Sequence, residues 1–218
     1  MEKQMRMEKP KHIIWDWNGT LQNDVLAAVA GINFLLEQRG MPLVDIQKHR
    51  ELFSFPARNY YIALGFDLEK ENWDEMSNTF IKAFLAEPST NLFDWTIPTL
   101  TYFREQGIGM SVVSAAEQNT LTKTVDQYGI LHYFDNIVGL TDHGAGSKAE
   151  NAKRLIKQLN IAPNEIILVG DTSHDKEVAD FVGCNCILVE SGYESRERLL
   201  KNGITVLPSI KELTTLFD

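Results

Sequence analysis

Cysteine is almost missing from this 218-residue chain: there are two, Cys184 and Cys186. One residue apart on a strand they point to opposite faces, which does not suit a shared metal ion. They lie in the apolar run CNCILV, where packing is their plain role. Two such thiols fit a reducing compartment, so the expected location is cytoplasmic. A basic excess is missing too: 21 Lys and Arg stand against 30 Asp and Glu, a formal net charge of −9. That argues against a nucleic-acid partner and against an anionic membrane surface. It leaves a phosphorylated ligand open, because a bound divalent cation reverses the sign locally. No apolar run approaches the roughly 20 residues of a membrane span. Internal repeats and low-complexity tracts are absent. The opening MEKQMRMEKP lacks an apolar signal core, so secretion is not expected. Residues 1–10 read as a loose lead-in, with Met7 as an alternative start.

Hydrophobic residues make up 44% of the chain, enough for a real core. The length suits one sizeable domain or a domain with an insert. Short β-branched runs at residues 12–17, 108–114, 136–140, 165–170 and 184–190 predict five strands. Continuous runs of this kind suit strands buried on both faces, as in parallel sheets. Helical patterns at 97–106, 117–128 and 147–159 alternate with them, and Val178, Ala179 and Val182 mark another helix. Gly107 and Gly129 are stops for the first two. This alternation predicts an α/β fold with a doubly wound parallel sheet.

Residues 23–88 break the pattern. Val25, Leu26, Val29, Ile32, Leu35 and Leu36 share one helical face, and further helices are expected at 44–52, 56–64 and 73–85. The stretch is far too long for a crossover loop. The expected organisation is a core of residues 1–22 and 88–218, with an inserted α-helical domain at 23–87. Linkers are expected at 22–24 and 87–91.

Four segments carry residues suited to chemistry. Asp16-Trp17-Asn18-Gly19-Thr20-Leu21 follows the first strand. A carboxylate there, followed by Gly-Thr, suits a tight loop with backbone amides free for an anion; an Asx-type turn is the plainer reading. Gly170-Asp171-Thr172-Ser173-His174-Asp175 follows the fourth strand and opens a helix. Its two acids suit a shared Mg²⁺, or else they cap the helix. Ser114 ends the second strand, with Ala115 and Ala116 after it. A hydroxyl and free amides suit phosphate oxygens; a turn residue is the bland alternative. Lys148, in Gly146-Ser147-Lys148, starts a helix, where a cation opposes the dipole. That conflict hints at a role, against the default of a surface lysine. In open α/β sheets ligands bind at the carboxyl ends of strands, where these segments lie.

Taken in order, the four segments resemble the motifs of the haloacid dehalogenase-like (HAD) superfamily. The resemblance runs from about Lys11 to the C-terminus, including the helix DKEVADFVG after the last motif. The helical insert is similar to the C1 cap of phosphoglycolate-phosphatase-like and β-phosphoglucomutase-like members. The resemblance implies a Rossmann-like core and a phosphatase whose nucleophile is Asp16, phosphorylated transiently during turnover. It implies Mg²⁺ held by the Asp16 carboxylate, the Asn18 carbonyl and Asp171, with Asp175 direct or through water. It assigns Ser114 and Lys148 to the non-bridging phosphate oxygens. The implied substrate is a small phosphorylated metabolite, and the implied state is monomer or homodimer, with residues 43–66 free for recognition or pairing.

One position departs from the pattern. Phosphatases of the family usually carry a second aspartate two residues after the nucleophile, as general acid and base. Here Asn18 stands, and an amide neither gives nor takes a proton at neutral pH. Substrates with good leaving groups are therefore expected to suffer least. His174 is a substitute acid or a solvent-facing residue. Arg58 reads either as a ligand for a second substrate anion or as a surface arginine. It closes a segment, Phe53 to Arg58, that is a candidate to face the site. Trp17 shapes the entrance or packs on the cap. Trp73, Trp95 and the phenylalanines read as core. Two other readings stand beside the phosphohydrolase. One is a catalytically weak phospholigand-binding or regulatory protein, supported by Asn18. The other is a metal-independent 2-haloacid dehalogenase, which Asp171 and Asp175 oppose.

Overall fold

The sheet is built around one strand, β1 (His12–Trp15), buried along its whole length. In this computed structural model residues 8–141 and 147–217 are described; Met7 and Gly146 lie outside them. On one side of β1 runs β4 (Gly109–Glu117), with β5 (Asn136–Leu140) beyond it. On the other runs β6 (Ile166–Gly170), then β7 (Asn185–Val189) and β8 (Val206–Leu207). All five pairings are parallel. The order reverses direction at β1, which makes its carboxyl end the topological switch point.

Residues of β1 alternate between two apolar layers, as a pleated strand must. Ile13 and Trp15 join Leu100 and Phe103 of α5 (Thr96–Glu105) and Leu121 and Val125 of α6 (Gln118–Gln127). Ile14 joins Leu155 and Ile156 of α7 (Lys148–Leu159) and Val178 and Ala179 of α8 (Ser173–Val182). The core is thus a three-layer α/β/α sandwich, the doubly wound sheet expected from the sequence.

Four helices stand between β1 and α5: α1 (Val25–Glu37), α2 (Ile46–Leu52), α3 (Ala57–Ala63) and α4 (Trp73–Ala86). They share a core of their own, in which Ile32, Leu35 and Leu36 meet Tyr60, Tyr61, Phe66 and Met76. Two short strands flank them, β2 (Gln22–Asn23) and β3 (Asn91–Leu92), paired antiparallel. They pair residues 22–23, inside the first expected linker, with residues 91–92, at the end of the second. Two shorter helices, α9 (Arg196–Leu200) and α10 (Leu213–Leu216), complete the chain.

Some expectations are corrected. The second strand does not stop at Ser114; it continues to Glu117 across a register shift against β5. β8 is a sixth strand beyond the five expected, and its two half-buried residues make no pattern in the sequence. Phe34 and Phe181 are not core: they are 46% and 50% exposed. Among the described residues no helix is long and apolar enough to cross a membrane.

Candidate active site

The pairing of β1 with β6 runs one residue past the strand end, since the Asp16 amide donates to the Val169 carbonyl at 2.8 Å. Asp16 is thereby fixed beside Gly170 and Asp171. The chain then turns through Gly19, at φ +75°, where any Cβ would overlap the Asp171 carboxylate. Only glycine fits there. Thr20 follows, buried, and its hydroxyl donates to Asp171 Oδ1 at 3.0 Å. The Tyr193 amide donates to Asp171 Oδ2 at 2.6 Å.

The acids of the two segments converge. One oxygen each from Asp16, Asp171 and Asp175 lies within 4.8 Å of the others, and all three residues are buried. Lys148 is buried as well, not on the surface. Its ammonium donates to Asp16 Oδ1 and, at 2.6 Å, to Asp175 Oδ1. Ser147, with its hydroxyl accepting from the Glu150 amide, caps the helix that carries it. The dipole conflict at Lys148 is therefore met by two carboxylates. Asp175 also supports the helix it sits on. Its Oδ2 accepts from the Thr172 amide and hydroxyl, closing a capping box at the start of α8. One side chain thus both supports the start of α8 and stands beside Asp16, Asp171 and Lys148.

The electrostatics are unbalanced. Burial raises the Asp16 carboxyl above its usual range, although Lys148 opposes it. Burial, then the charges of Asp16 and Asp175, raise Asp171 well above its usual value. Burial also penalises Asp175, but Lys148 and Thr172 outweigh it and hold that group low. Lys148 is held up by Asp16 and Asp175 against its own burial. One ammonium does not balance three buried carboxylates. A further cation would, and the converging carboxylate oxygens suit a hard divalent ion such as Mg²⁺. Asp16 and Asp171 are the residues placed to hold it, with Asp175 alongside.

Ser114 is buried one strand away. Its hydroxyl accepts from the Ala116 amide at 3.0 Å and reaches Asn18 Oδ1 at 3.5 Å. Ala115 is half-buried beside it. Asn18 spans a gap: its amide nitrogen donates to Asp24 Oδ2 at 2.5 Å. Asp24 also accepts from the Gly19 amide at 3.0 Å and from Tyr193. Burial pushes Asp24 up to about 7 despite these bonds.

Two expected site residues are placed elsewhere. Trp17 is buried in the layer under α5 and α6, 6.2 Å from the Tyr128 ring; it neither shapes an entrance nor packs on the helical insert. Arg58 is not in the site: its guanidinium lies 4.4 Å over Trp73 within the insert. The arginine that reaches the core is Arg50 on α2, donating to the Gly192 carbonyl at 2.7 Å and the Ser191 carbonyl at 2.8 Å. The segment before Arg58 does meet the core. Phe53 lies 4.9 Å from the Tyr193 ring, and Phe55 stacks on His174 at 4.7 Å. A cavity of about 130 Å³ opens there, lined by Ser54, Phe55, Thr172, His174, Glu194 and Arg198 among others. His174 Nδ1 lies 3.0 Å from Glu177 Oε2, one turn along α8.

Asp24, Arg50 and Tyr193 carry no motif signal. Asp24 was legible only as a helix start six residues after Asn18.

Comparison with known proteins agrees with this geometry. Residues 13–189 match the family described as haloacid dehalogenase-like hydrolase. Tyrosine-protein kinase PtkA of Mycobacterium tuberculosis is 27% identical over 207 residues, covering 92% of this chain and 69% of the relative. Phosphoglycolate phosphatase 1 of Pseudomonas aeruginosa is 23% identical, over 96% of this chain and 80% of its own length. A crystal structure of a predicted phosphatase from Clostridium acetobutylicum superposes with a TM-score of 0.79 at 18% identity, covering 95% of this chain and 98% of that one. The chain belongs to the haloacid dehalogenase-like hydrolase family, and phosphoglycolate phosphatases are among its relatives.

Proposed function

We propose that this chain is a Mg²⁺-dependent phosphohydrolase acting on a small phosphorylated metabolite through a phosphoryl-enzyme formed at Asp16. The observation that carries the reading is the convergence of Asp16, Asp171 and Asp175 around Lys148 at the switch point. An Asp16 oxygen attacks phosphorus, the bond to the leaving oxygen breaks, and water later attacks the aspartyl phosphate to release inorganic phosphate. Splitting one displacement in two lowers each barrier. Bound Mg²⁺ supplies charge neutralisation between the phosphoryl group and the carboxylates. Lys148 and the Ser114 hydroxyl serve the non-bridging oxygens, where negative charge is spread. The phosphoglycolate phosphatase relatives support the phosphatase reading.

Asn18 shapes the substrate range. Its amide is engaged by Asp24 and supplies no proton to a departing alkoxide. Acyl phosphates and other good leaving groups are favoured. The test is phosphate release from acetyl phosphate with and without Mg²⁺. The reading expects turnover that needs the ion and vanishes in Asp16→Asn; absence of turnover on acetyl phosphate and a broad phosphometabolite panel overturns it.

A second reading rests on the likeness to PtkA, whose name describes a tyrosine kinase. The same aspartyl chemistry would then end on a hydroxyl of a protein rather than on water. Incubation with γ-labelled ATP separates the two: label on tyrosine favours this reading, free phosphate the first.

A further inference from the structure

The aspartate at the start of the first inserted helix does not do what aspartates there usually do. Asp24 occupies the N-cap position of α1, yet its side chain makes no capping bond to the helix. An N-cap bond is worth about 1 kcal/mol, and it is forgone here. The carboxylate turns back to the nucleophile loop instead. Oδ2 accepts from the Asn18 amide at 2.5 Å, and Oδ1 accepts from the Gly19 amide at 3.0 Å. The Tyr193 hydroxyl also bonds to it. Asp24 is 1% exposed, so no solvent competes for these bonds.

The pairing settles how Asn18 is oriented. Three donors, from Asn18, Gly19 and Tyr193, converge on Asp24 and call for an accepting carboxylate, so the Asn18 amide nitrogen faces Asp24 and its carbonyl oxygen faces Ser114. Asn18 thus spans the phosphate-side serine and the base of the helical insert. With aspartate at both 18 and 24, two buried acceptors would meet. With asparagine at both, Gly19 or Asn18 would face a donor. An amide against a carboxylate is the combination that satisfies every group.

We propose that Asp24 is a positioning residue for phosphoryl transfer, holding Asn18 and Gly19 so that the Asp16 loop keeps its reactive shape while the insert is seated on the core. This role rests on the hydrolase reading above.

The experiment compares Asp24→Asn, Asn18→Asp and the double exchange with the wild-type chain, on acetyl phosphate with Mg²⁺, reading kcat, KM and Tm. A loop displaced by about 1 Å loses on the order of 100-fold in rate, so each single variant is expected to lose about 10- to 100-fold in kcat. KM should stay within about threefold, because substrate binding energy is little changed. The double exchange restores an amide facing a carboxylate and should recover most of the lost kcat, in the manner of coupled sites. Rescue of rate by the exchanged pair is not expected of a residue that only stabilises the helix. If Asp24→Asn does not fold, the double exchange decides: a folded, active protein supports the role, and a dead or unfolded one overturns it. An Asp24→Asn kcat within about twofold of wild type also overturns it, since such a change is below about 0.5 kcal/mol. That result would leave the hydrolase reading standing. A wild-type chain without turnover removes both.

Discussion

Lys148 Nζ lies 2.6 Å from Asp175 Oδ1, joining the first residue of α7 to the third residue of α8 at the mouth of the sheet. The same ammonium pairs with Asp16, so one cation ties the first motif to the last. Removing it leaves buried carboxylates uncompensated. Breaking a buried pair in this way costs about 3–5 kcal/mol. Lys148→Ala should therefore lower Tm and, if folded, lose on the order of 10²–10³ in kcat on acetyl phosphate. Thermal melts and steady-state rates check both halves.

Metal binding should be visible without turnover. On the proposed reading, Mg²⁺ held by Asp16, Asp171 and Asp175 binds the folded state only and should raise Tm. At a hundredfold excess over Kd the gain is about 2.7 kcal/mol, and each kcal/mol is worth about 2–4 °C in a chain of this size. Asp171→Asn should abolish the Mg²⁺-dependent shift. Calorimetric scans with Mg²⁺ and with EDTA measure it.

Acid should loosen the helical insert. His49 on α2 is 1% exposed, its Nδ1 is 2.7 Å from the Tyr60 hydroxyl, and burial lowers its pKa from 6.5 to about 4. The folded pKa lies below the unfolded one, so the unfolded chain binds the proton more readily. Stability is full above about pH 6.5 and falls as pH drops toward 4. One such group accounts for up to about 3 kcal/mol. Urea unfolding of the wild-type chain and of His49→Gln between pH 7 and pH 4 isolates this share, because His12, Asp16 and Asp24 titrate in both: the wild-type advantage should shrink as pH falls.

The arginines of the insert should separate. Arg50→Ala removes two bonds to the Ser191 and Gly192 carbonyls, next to the Tyr193 amide that holds Asp171. Its kcat/KM should drop about 10-fold, equal to the loss of one charge-assisted bond. Arg58→Ala removes only a contact over Trp73, with a stability cost of no more than about 1 kcal/mol. Kinetics for the first and melts for the second test this contrast.

Where the sequence was legible, the cause was periodicity. Ile166 to Gly170 is a continuous apolar run because both faces of its strand are covered, and the run marked it. Asn136 to Leu140 was placed to the residue. Asp16, Ser114, Lys148, Asp171 and Asp175 stand out because each follows a strand or opens a helix, and their order resembles the motifs of the haloacid dehalogenase-like family. What spacing could not give was direction. Trp17 sits beside Asp16 in sequence but alternation along the chain sends its ring into the layer under α5 and α6. Arg50 and Arg58 are equivalent as letters; the turn of α2 and α3 decides which one meets residues 191–192. Asp24 and Tyr193 lie far apart in sequence and meet only in the folded chain. β8 has two residues and leaves no pattern.

The most direct test of the central claim is chemical. The chain is mixed with acetyl phosphate and Mg²⁺, quenched in acid within a single turnover, digested and analysed by tandem mass spectrometry. The account predicts one phosphoryl group on the peptide containing Asp16, labile to hydroxylamine and missing in Asp16→Asn. Phosphate release with no phosphoryl adduct on that peptide, or release undiminished in Asp16→Asn, would contradict it.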